Sequence, residues 1–365
     1  MRRLVVVALL LFSCIGVAHA ASGPEERRVE VDAAMALPEE LRQAFLAYSP
    51  PDARLTAEQR VRRLLDFMVA EDGLALQYRD KPTYGIAESY ARREVNCLSF
   101  TMMYIALARA SGLEAYAQAT DNALELRLWG GTVARATHVN AEAVVDGYGY
   151  TVDIGWRAVV ATRRMHRIDD AQLVALLHNN NAVENLLKGE SEAARREIDV
   201  ALSLDPDSAT IWSNSGLIEM RSGRHGSAER AYQQALRLDK RHVGALGNIV
   251  ELYRATGQHA LEGRYVKRLE RVQASDPFSQ YLLGQRSSGK GDYAKAIAHY
   301  RHAIRLMQKQ PMFYRGLAEA YRQTGELVAS QHAEQRAEEL EARRNAHRSM
   351  REAASPGFGP GLSSN

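Results

Sequence analysis

The sequence predicts a fold in two parts, an α+β half followed by an all-α helical solenoid. A set of glycines at a constant spacing of 34 predicts the solenoid, and a helix-then-strands order predicts the α+β half. The composition, 46% hydrophobic and 25% charged over 365 residues, is that of a globular chain long enough for two domains. These patterns divide the chain into a leader at 1–20, an α+β domain at 21–170, repeats at 175–344 and a disordered tail at 345–365.

The first twenty residues have the pattern of a cleaved export signal. Two arginines precede an apolar run from Leu4 to Phe12, and Ala18-His19-Ala20 matches an A-x-A cleavage site. The apolar run is shorter than the about 18 residues that a membrane span requires. We therefore expect an exported, periplasmic protein that begins at Ala21 and has no membrane span. An envelope lipoprotein with its lipid anchor at Cys14 is the alternative.

The charge is nearly balanced. The formal net charge is +3, and two of the positive charges lie in the leader, so the mature chain is near +1. Such a balance predicts no binding to nucleic acid and none to an anionic membrane surface. The sequence contains no phosphate-binding glycine loop, no paired metal-spacing cysteines and no His-Glu-x-x-His motif, so we expect neither a metal nor another cofactor.

The C-terminal half is built from a repeating sequence pattern. Gly189, Gly223, Gly257, Gly291 and Gly325 follow one another at the constant spacing of 34. Each is expected where a helix ends and the chain needs a residue that tolerates a positive φ. Fixed periods of this size indicate stacked helical units.

Small and large residues recur in register with these glycines. The best copy of the pattern is Trp212…Ser215-Gly216…Ala228…Tyr232…Ala235. The pattern resembles the tetratricopeptide repeat. The resemblance implies ten antiparallel helices, curved around a groove that binds a protein or peptide partner. The third unit departs most from the pattern, with Val250, Glu262 and Leu269 at positions where most units have small residues.

The N-terminal half has helical patterns followed by strand-like runs. One helix is predicted from Ala57 to Ala70, and a second begins at Cys97 and stops at Gly112. Strands are predicted at Glu114 to Thr120, Leu124 to Trp129, Thr137 to Val145 and Tyr148 to Ile154.

Cys97 is the one cysteine that remains after removal of the leader. At the start of a helix, the partial positive charge of the helix end and the free N–H groups favour the nucleophilic thiolate. A buried structural thiol is the alternative. A lone cysteine in an exported protein favours the functional interpretation.

A predicted hairpin supplies a base for this thiolate. Asp146-Gly147 is a two-residue turn signal, so the numbers of paired residues sum to 293 and Asp153 faces Asn140. His138 lies two residues from Asn140, on the same face and diagonal to Asp153. The turn therefore places His138 and Asp153 as a base and the carboxylate that orients it. Two other histidines, His166 and His178, lie outside the hairpin and are predicted to be surface or interhelix residues.

These segments resemble the transglutaminase-like superfamily of papain-type fold, and more narrowly bacterial envelope proteins that join such a domain to tetratricopeptide repeats. The matching segments are Asn96-Cys97-Leu98-Ser99-Phe100, Ala106 to Leu113, His138-Val139-Asn140 and Val152-Asp153. The resemblance implies that Cys97 is the nucleophile, His138 the base and Asp153 its orienter. Val95 and Thr137 depart from it, since the family has Gly and frequently Arg at these positions.

The function that follows is cysteine-dependent acyl transfer or amide hydrolysis, as in a transglutaminase, peptidase or amidase. The oxyanion donors are expected to be the Cys97 N–H and an upstream group that the sequence leaves unassigned. The alternative is an inactive transglutaminase-like and repeat adaptor that only binds.

Overall fold

The computed structural model describes residues 23–50, 55–80, 82–119, 126–129, 132–135, 138–145, 147–152 and 166–354. The leader, Cys14 and Asp153 lie outside these residues. The helices of the N-terminal half are α1 Pro24–Met35, α2 Glu39–Tyr48, α3 Ala57–Val69, α4 Ile86–Arg92 and α5 Cys97–Ala110. The strands are β1 Gln77–Tyr78, β2 Glu94–Val95, β3 Glu114–Ala119, β4 Leu126–Trp129, β5 Thr132–Arg135, β6 Val139–Val145, β7 Tyr148–Val152 and β8 His166–Ile168.

A four-stranded antiparallel sheet, in the order β7-β6-β3-β8, forms the centre of the N-terminal half. Helix α5 is apolar on all sides and is buried from Leu98 to Ala108. The three alanines of β3, Ala115, Ala117 and Ala119, are also buried. Because these side chains are small, α5 can pack closely against β3 and β6. The predicted helices that begin at Ala57 and Cys97 are confirmed, and strands occupy all four predicted runs.

Ten helices, α6 to α15, follow the sheet. They are α6 Asp170–Lys188, α7 Ser191–Leu204, α8 Ala209–Arg221, α9 His225–Leu238, α10 Val243–Ala255, α11 His259–Ala274, α12 Pro277–Gly289, α13 Tyr293–Leu306, α14 Pro311–Thr324 and α15 Leu327–Ala354. The five period-34 glycines have φ between 70° and 82°, as predicted for residues that end helices. No helix in the described part of the chain is both long and apolar enough to cross a bilayer.

Both ends of the repeat array differ from the prediction. The first helix begins at Asp170, five residues before the predicted start, because Asp169 caps it by accepting a hydrogen bond from the Gln172 N–H at 2.8 Å. The last helix continues to Ala354, so the tail predicted from residue 345 is helical over its first part. Residues 327–354 contain neither Gly nor Pro, so no helix-ending residue interrupts α15. Residues 355–365 lie outside the description.

Within a repeat unit, a small residue on the first helix packs against a large residue on the second. A Cβ atom on Gly216 would lie 2.5 Å from Tyr232, and one on Gly284 would lie 2.6 Å from Tyr300. In the third unit the equivalent pair is Val250 and Val266, which have the same offset in the sequence as the other pairs. The larger first residue is therefore accompanied by a smaller second one.

One hydrophobic cluster joins the two halves. It runs from Leu41 of α2 through α5 and the sheet to Leu173 of α6 and as far as Ile218 of α8. The Arg109 guanidinium, at the end of α5, also pairs with the Asp170 carboxylate at 2.5 Å. The first repeat is thus part of the core of the N-terminal half, and no linker separates them.

Candidate functional site

Cys97 is the first residue of α5, where the helix leaves backbone donors free. Asn96 is the N-cap, and its Oδ1 accepts a hydrogen bond from the Ser99 N–H at 3.0 Å. The Phe100 N–H donates to the Asn96 carbonyl at 2.9 Å. Within the described part of the chain, the N–H groups of Cys97 and Leu98 bond to no other group. The half-buried, unpaired thiol of Cys97 therefore lies beside two unoccupied donors at the positive end of a helix.

The chain topology brings His138 to the same end of the molecule as Cys97. After α5, Gly112 turns the chain with φ of 74°, and β3 runs back beside the helix. The 14 residues of α5 and the 6 residues of β3 both extend about 20 Å, so Ala119 returns close to the level of Cys97. Ala119 is paired with Val139, and His138 is the residue directly before Val139.

The β6–β7 hairpin has the predicted register. Its ladder runs from Val145 opposite Tyr148 to Ala141 opposite Val152, so every pair of residue numbers sums to 293. The ladder thus ends one residue before the predicted partners Asn140 and Asp153. Asp153 itself is outside the described residues.

A second histidine reaches this end of the sheet. The β8 strand pairs with β3 so that His166 lies opposite Ala119, on the side away from Val139. Residues directly opposite one another share a face of the sheet, so His166 is on the face of Ala119 and Val139. The sequence predicts that His166 is a surface or interhelix residue, because it lies outside the hairpin. No local pattern could have found it, since its position depends on the pairing of an edge strand.

The loop before α4 connects the Cys97 end of α5 to the first repeat helix. The Thr83 Oγ1 accepts hydrogen bonds from the Asn96 Nδ2 at 2.8 Å and the Asn180 Nδ2 at 3.3 Å. The Thr83 N–H donates to the Glu184 carboxylate at 3.0 Å. Thr83 and Asn96 are 7% and 5% exposed, so water does not compete strongly for these bonds. The N-cap of the cysteine helix is therefore tied to α6 through one threonine.

His178 is an interhelix residue, as predicted. Its Nδ1 is 2.7 Å from the Glu197 carboxylate of α7, and its Nε2 is 3.1 Å from the Glu30 carboxylate of α1. Burial alone lowers the pKa of His178, but the hydrogen bonds and charges of Glu197 and Glu30 outweigh burial, so the pKa is raised. His178 joins the N-terminal helix to the first repeat unit.

Among the described residues, no group of three or more His, Cys, Asp or Glu side chains could hold a metal ion.

Comparisons with known proteins identify the repeats. The family model described as tetratricopeptide repeat matches residues 209–242 and 279–309. The C-terminal half is a tetratricopeptide-repeat solenoid. No curated protein matches the chain.

Several solved structures are similar at low identity. MamA from Desulfovibrio magneticus RS-1 is 18% identical over 46% of this chain and 95% of its own, with a TM-score of 0.27. YrrB, described as a TPR protein with an unusual peptide-binding site, is 17% identical over 46% of this chain and 86% of its own, with a TM-score of 0.26. The pilF protein of Pseudomonas aeruginosa is 17% identical over 47% of this chain and 78% of its own, with a TM-score of 0.29.

The asparagines that recur with the period of these tetratricopeptide repeats bond within the protein or are buried. Asn180 bonds to Thr83, and the Asn214 Nδ2 donates to the Asn179 Oδ1 at 2.8 Å. Asn248 is 3% exposed, and the backbone of β5 lies beside its helix, α10. Neither bond is to the local backbone: the amide of Asn180 bonds to the N-terminal half, and that of Asn214 bonds to the preceding repeat unit, so both amides are used within the protein.

Proposed function

We propose that this chain is an exported protein in which a transglutaminase-like cysteine site is joined to a tetratricopeptide-repeat scaffold that binds a protein or peptide partner. One observation carries the enzymatic part: the only free cysteine among the described residues opens a buried helix, at the end of the sheet that also carries His138. The match of Cys97, His138 and Asp153 to the family motif, and the leader with its A-x-A site, support the rest.

The proposed reaction begins with attack of the Cys97 thiolate on an amide carbonyl carbon. A C–S bond forms, and the carbonyl electron pair moves to oxygen. The Cys97 N–H stabilises this oxygen, and the Leu98 N–H does so in place of the upstream donor that the sequence led us to expect. The oxyanion then collapses and the C–N bond breaks. The amine leaves with a proton from the His138 imidazolium, and a thioester remains.

Water or an amine then resolves the thioester. His138 takes the proton of the incoming nucleophile, and the C–S bond breaks to restore the thiolate. Asp153 holds the imidazole in the tautomer that accepts this proton. Water gives hydrolysis and an amine gives acyl transfer, so the same residues serve a peptidase, an amidase or a transglutaminase.

The test measures alkylation of Cys97 by iodoacetamide across pH in the full chain. Reactivity that persists well below the ordinary thiol pKa of about 8.5 is expected. Replacing His138 with Ala should abolish this low-pH reactivity, whereas replacing His166 with Ala should preserve it. Both histidines lie at the same end of one sheet, so the two variants compare the two candidate bases.

Three outcomes would contradict this assignment. A low-pH reactivity lost in His166→Ala and kept in His138→Ala would make His166 the base. An ordinary thiol profile in the unmodified chain would instead favour the inactive adaptor, in which the N-terminal half only binds. An unreactive Cys97 in the folded protein would do the same.

A further inference from the structure

We propose that the second helices of the three central repeats carry a docking surface for an acidic segment of a partner protein. The surface, here called the arginine patch, lies on the second helix of each unit, α9, α11 and α13. Its members are the exposed cations Arg230, Arg237, Arg264, Lys267, Arg271, Arg301 and Arg305.

The patch concentrates positive charge in a nearly neutral protein. Helices α9, α11 and α13 contain nine Lys and Arg residues and three Asp and Glu residues, a net charge of +6. The whole chain has a net charge of +3. The remainder of the chain is therefore net acidic. The low net charge of the whole chain, from which the sequence analysis predicted no anionic partner, is the sum of this basic surface and an acidic remainder.

Three arginines of the patch recur with the repeat period, although the packing of the helices does not require arginine at these positions. Arg237, Arg271 and Arg305 recur with the same period of 34 as the glycines, and all three are exposed. The fold explains a period at buried positions, where residues must fit between helices, but not at exposed ones. The equivalent positions in the first and fifth units hold Ser203 and Glu339, so the row is confined to the central three units.

The patch cations lack the carboxylate partners that other arginines of the repeats have. Arg224 pairs with Glu219, Arg254 with Glu262 and Arg315 with Glu341. In the described part of the chain, none of the seven patch cations forms an ion pair with a carboxylate.

Two of the three acidic residues on these helices are occupied elsewhere. Glu229 accepts a hydrogen bond from the Tyr253 hydroxyl at 2.8 Å, and Glu262 accepts one from Arg254. Glu270 is exposed. Arg230 and Arg237 donate to neutral oxygens, those of Ser227 and Gln234, so a partner that carries carboxylates can offer these guanidinium groups charged acceptors that the protein does not.

The chemistry of the patch selects an acidic polypeptide among anionic partners. Six of the seven cations are arginines, whose planar fork matches a carboxylate in two parallel hydrogen bonds. Single-stranded nucleic acid would require aromatic side chains for stacking, and no Phe, Tyr or Trp on these three helices is exposed. The apolar residues beside the patch are Leu238 and Leu306, 38% and 41% exposed, too little surface for insertion into a membrane.

The test titrates a fluorescein-labelled, glutamate-rich peptide with the full chain and follows its anisotropy. We expect binding that weakens as salt increases. The triple variant Arg237→Gln, Arg271→Gln, Arg305→Gln should bind about tenfold more weakly, the sum of three exposed ion pairs. The matched control, Arg196→Gln, Arg221→Gln, Arg286→Gln, loses the same charge from exposed helix positions outside the patch and should bind like the unmodified chain.

Several outcomes would overturn the proposal. Equal losses in the two triple variants would show that only net charge matters. Absence of salt-dependent binding by the unmodified chain would exclude the site. Tighter binding to anionic phospholipid vesicles or to an oligonucleotide, lost in the patch variant, would show that the partner class is wrong. None of these outcomes depends on the reactivity of Cys97, so this proposal and the proposed function fail independently.

Discussion

The two halves of this protein are stabilised by contacts of different range. In the repeats, a unit is closed by residues that lie close in sequence, such as Gly216 and Tyr232. In the N-terminal half, β3 pairs with residues of β6 and, across the sheet, with the more distant residues of β8. A repeating sequence therefore specifies its packing locally, whereas the candidate site is assembled from distant segments.

The largest effect is expected when a buried phenylalanine is replaced in each half, and it tests how far the resulting loss of stability spreads. Phe100 of α5 and Phe313 of α14 are both fully buried, and replacing either with Ala should reduce the free energy of unfolding by about 3 to 5 kcal/mol. In Phe100→Ala, hydrogen exchange should increase throughout the sheet and in α6, because one core joins them. In Phe313→Ala, exchange should increase in α12 to α15 and remain unchanged in α5. Faster exchange in α5 of the second variant would show that disruption of the repeats also spreads to the N-terminal half.

A smaller effect tests the local rule inside the repeats. Gly216→Ala places a Cβ 2.5 Å from the Tyr232 ring, so overpacking should reduce the free energy of unfolding by about 1 to 3 kcal/mol. Adding Tyr232→Ile reproduces the Ala182 and Ile198 pair of the first unit and should recover part of the loss. Urea denaturation measures both variants.

The control for this prediction is Gly247→Ala in α10. A Cβ there meets no atom within 4 Å, so the substitution should raise helix stability by up to about 1 kcal/mol. A decrease in the free energy of unfolding for Gly247→Ala as large as that for Gly216→Ala would show that the loss of glycine flexibility, and not the contact with tyrosine, causes the effect.

A third prediction concerns the contact between the halves. Thr83→Ala leaves the buried Asn96 amide without its acceptor and should cost about 1 to 2 kcal/mol of stability. Because Asn96 caps the helix that Cys97 begins, the iodoacetamide reactivity of Cys97 should change as well. Thr83→Ser retains the hydroxyl and should restore both properties. Recovered stability without recovered reactivity would show that the threonine does not position the cysteine helix.

The smallest expected effect is a dependence on pH at the other contact between the halves. The folded-state pKa of His178 is raised above its ordinary value, so the stability it contributes is fully present below pH of about 6.5. That contribution is lost as pH rises through the raised pKa. The difference in melting temperature between the unmodified chain and His178→Gln should therefore be largest at acidic pH and shrink toward alkaline pH. A difference independent of pH would contradict the assignment.

The sequence alone determined the features that rest on local chemistry. The period-34 glycines predicted ten helices and their positive φ values, and the Asp-Gly turn predicted the register of β6 and β7. The start of a helix at Cys97 followed in the same way, because Asn96 is an N-cap residue and the next residues are apolar. Each of these signals acts within a few residues, and for that reason it can be read from the chain.

How these segments meet depends on tertiary contacts that no local pattern in the chain specifies. The tertiary structure joined the first repeat to the N-terminal core through Arg109 and Asp170, placed His166 opposite Ala119, and connected Thr83 to Asn180. These contacts join residues far apart in sequence, and their partners depend on how helices and strand edges pack. Composition and periodicity therefore do not predict that packing.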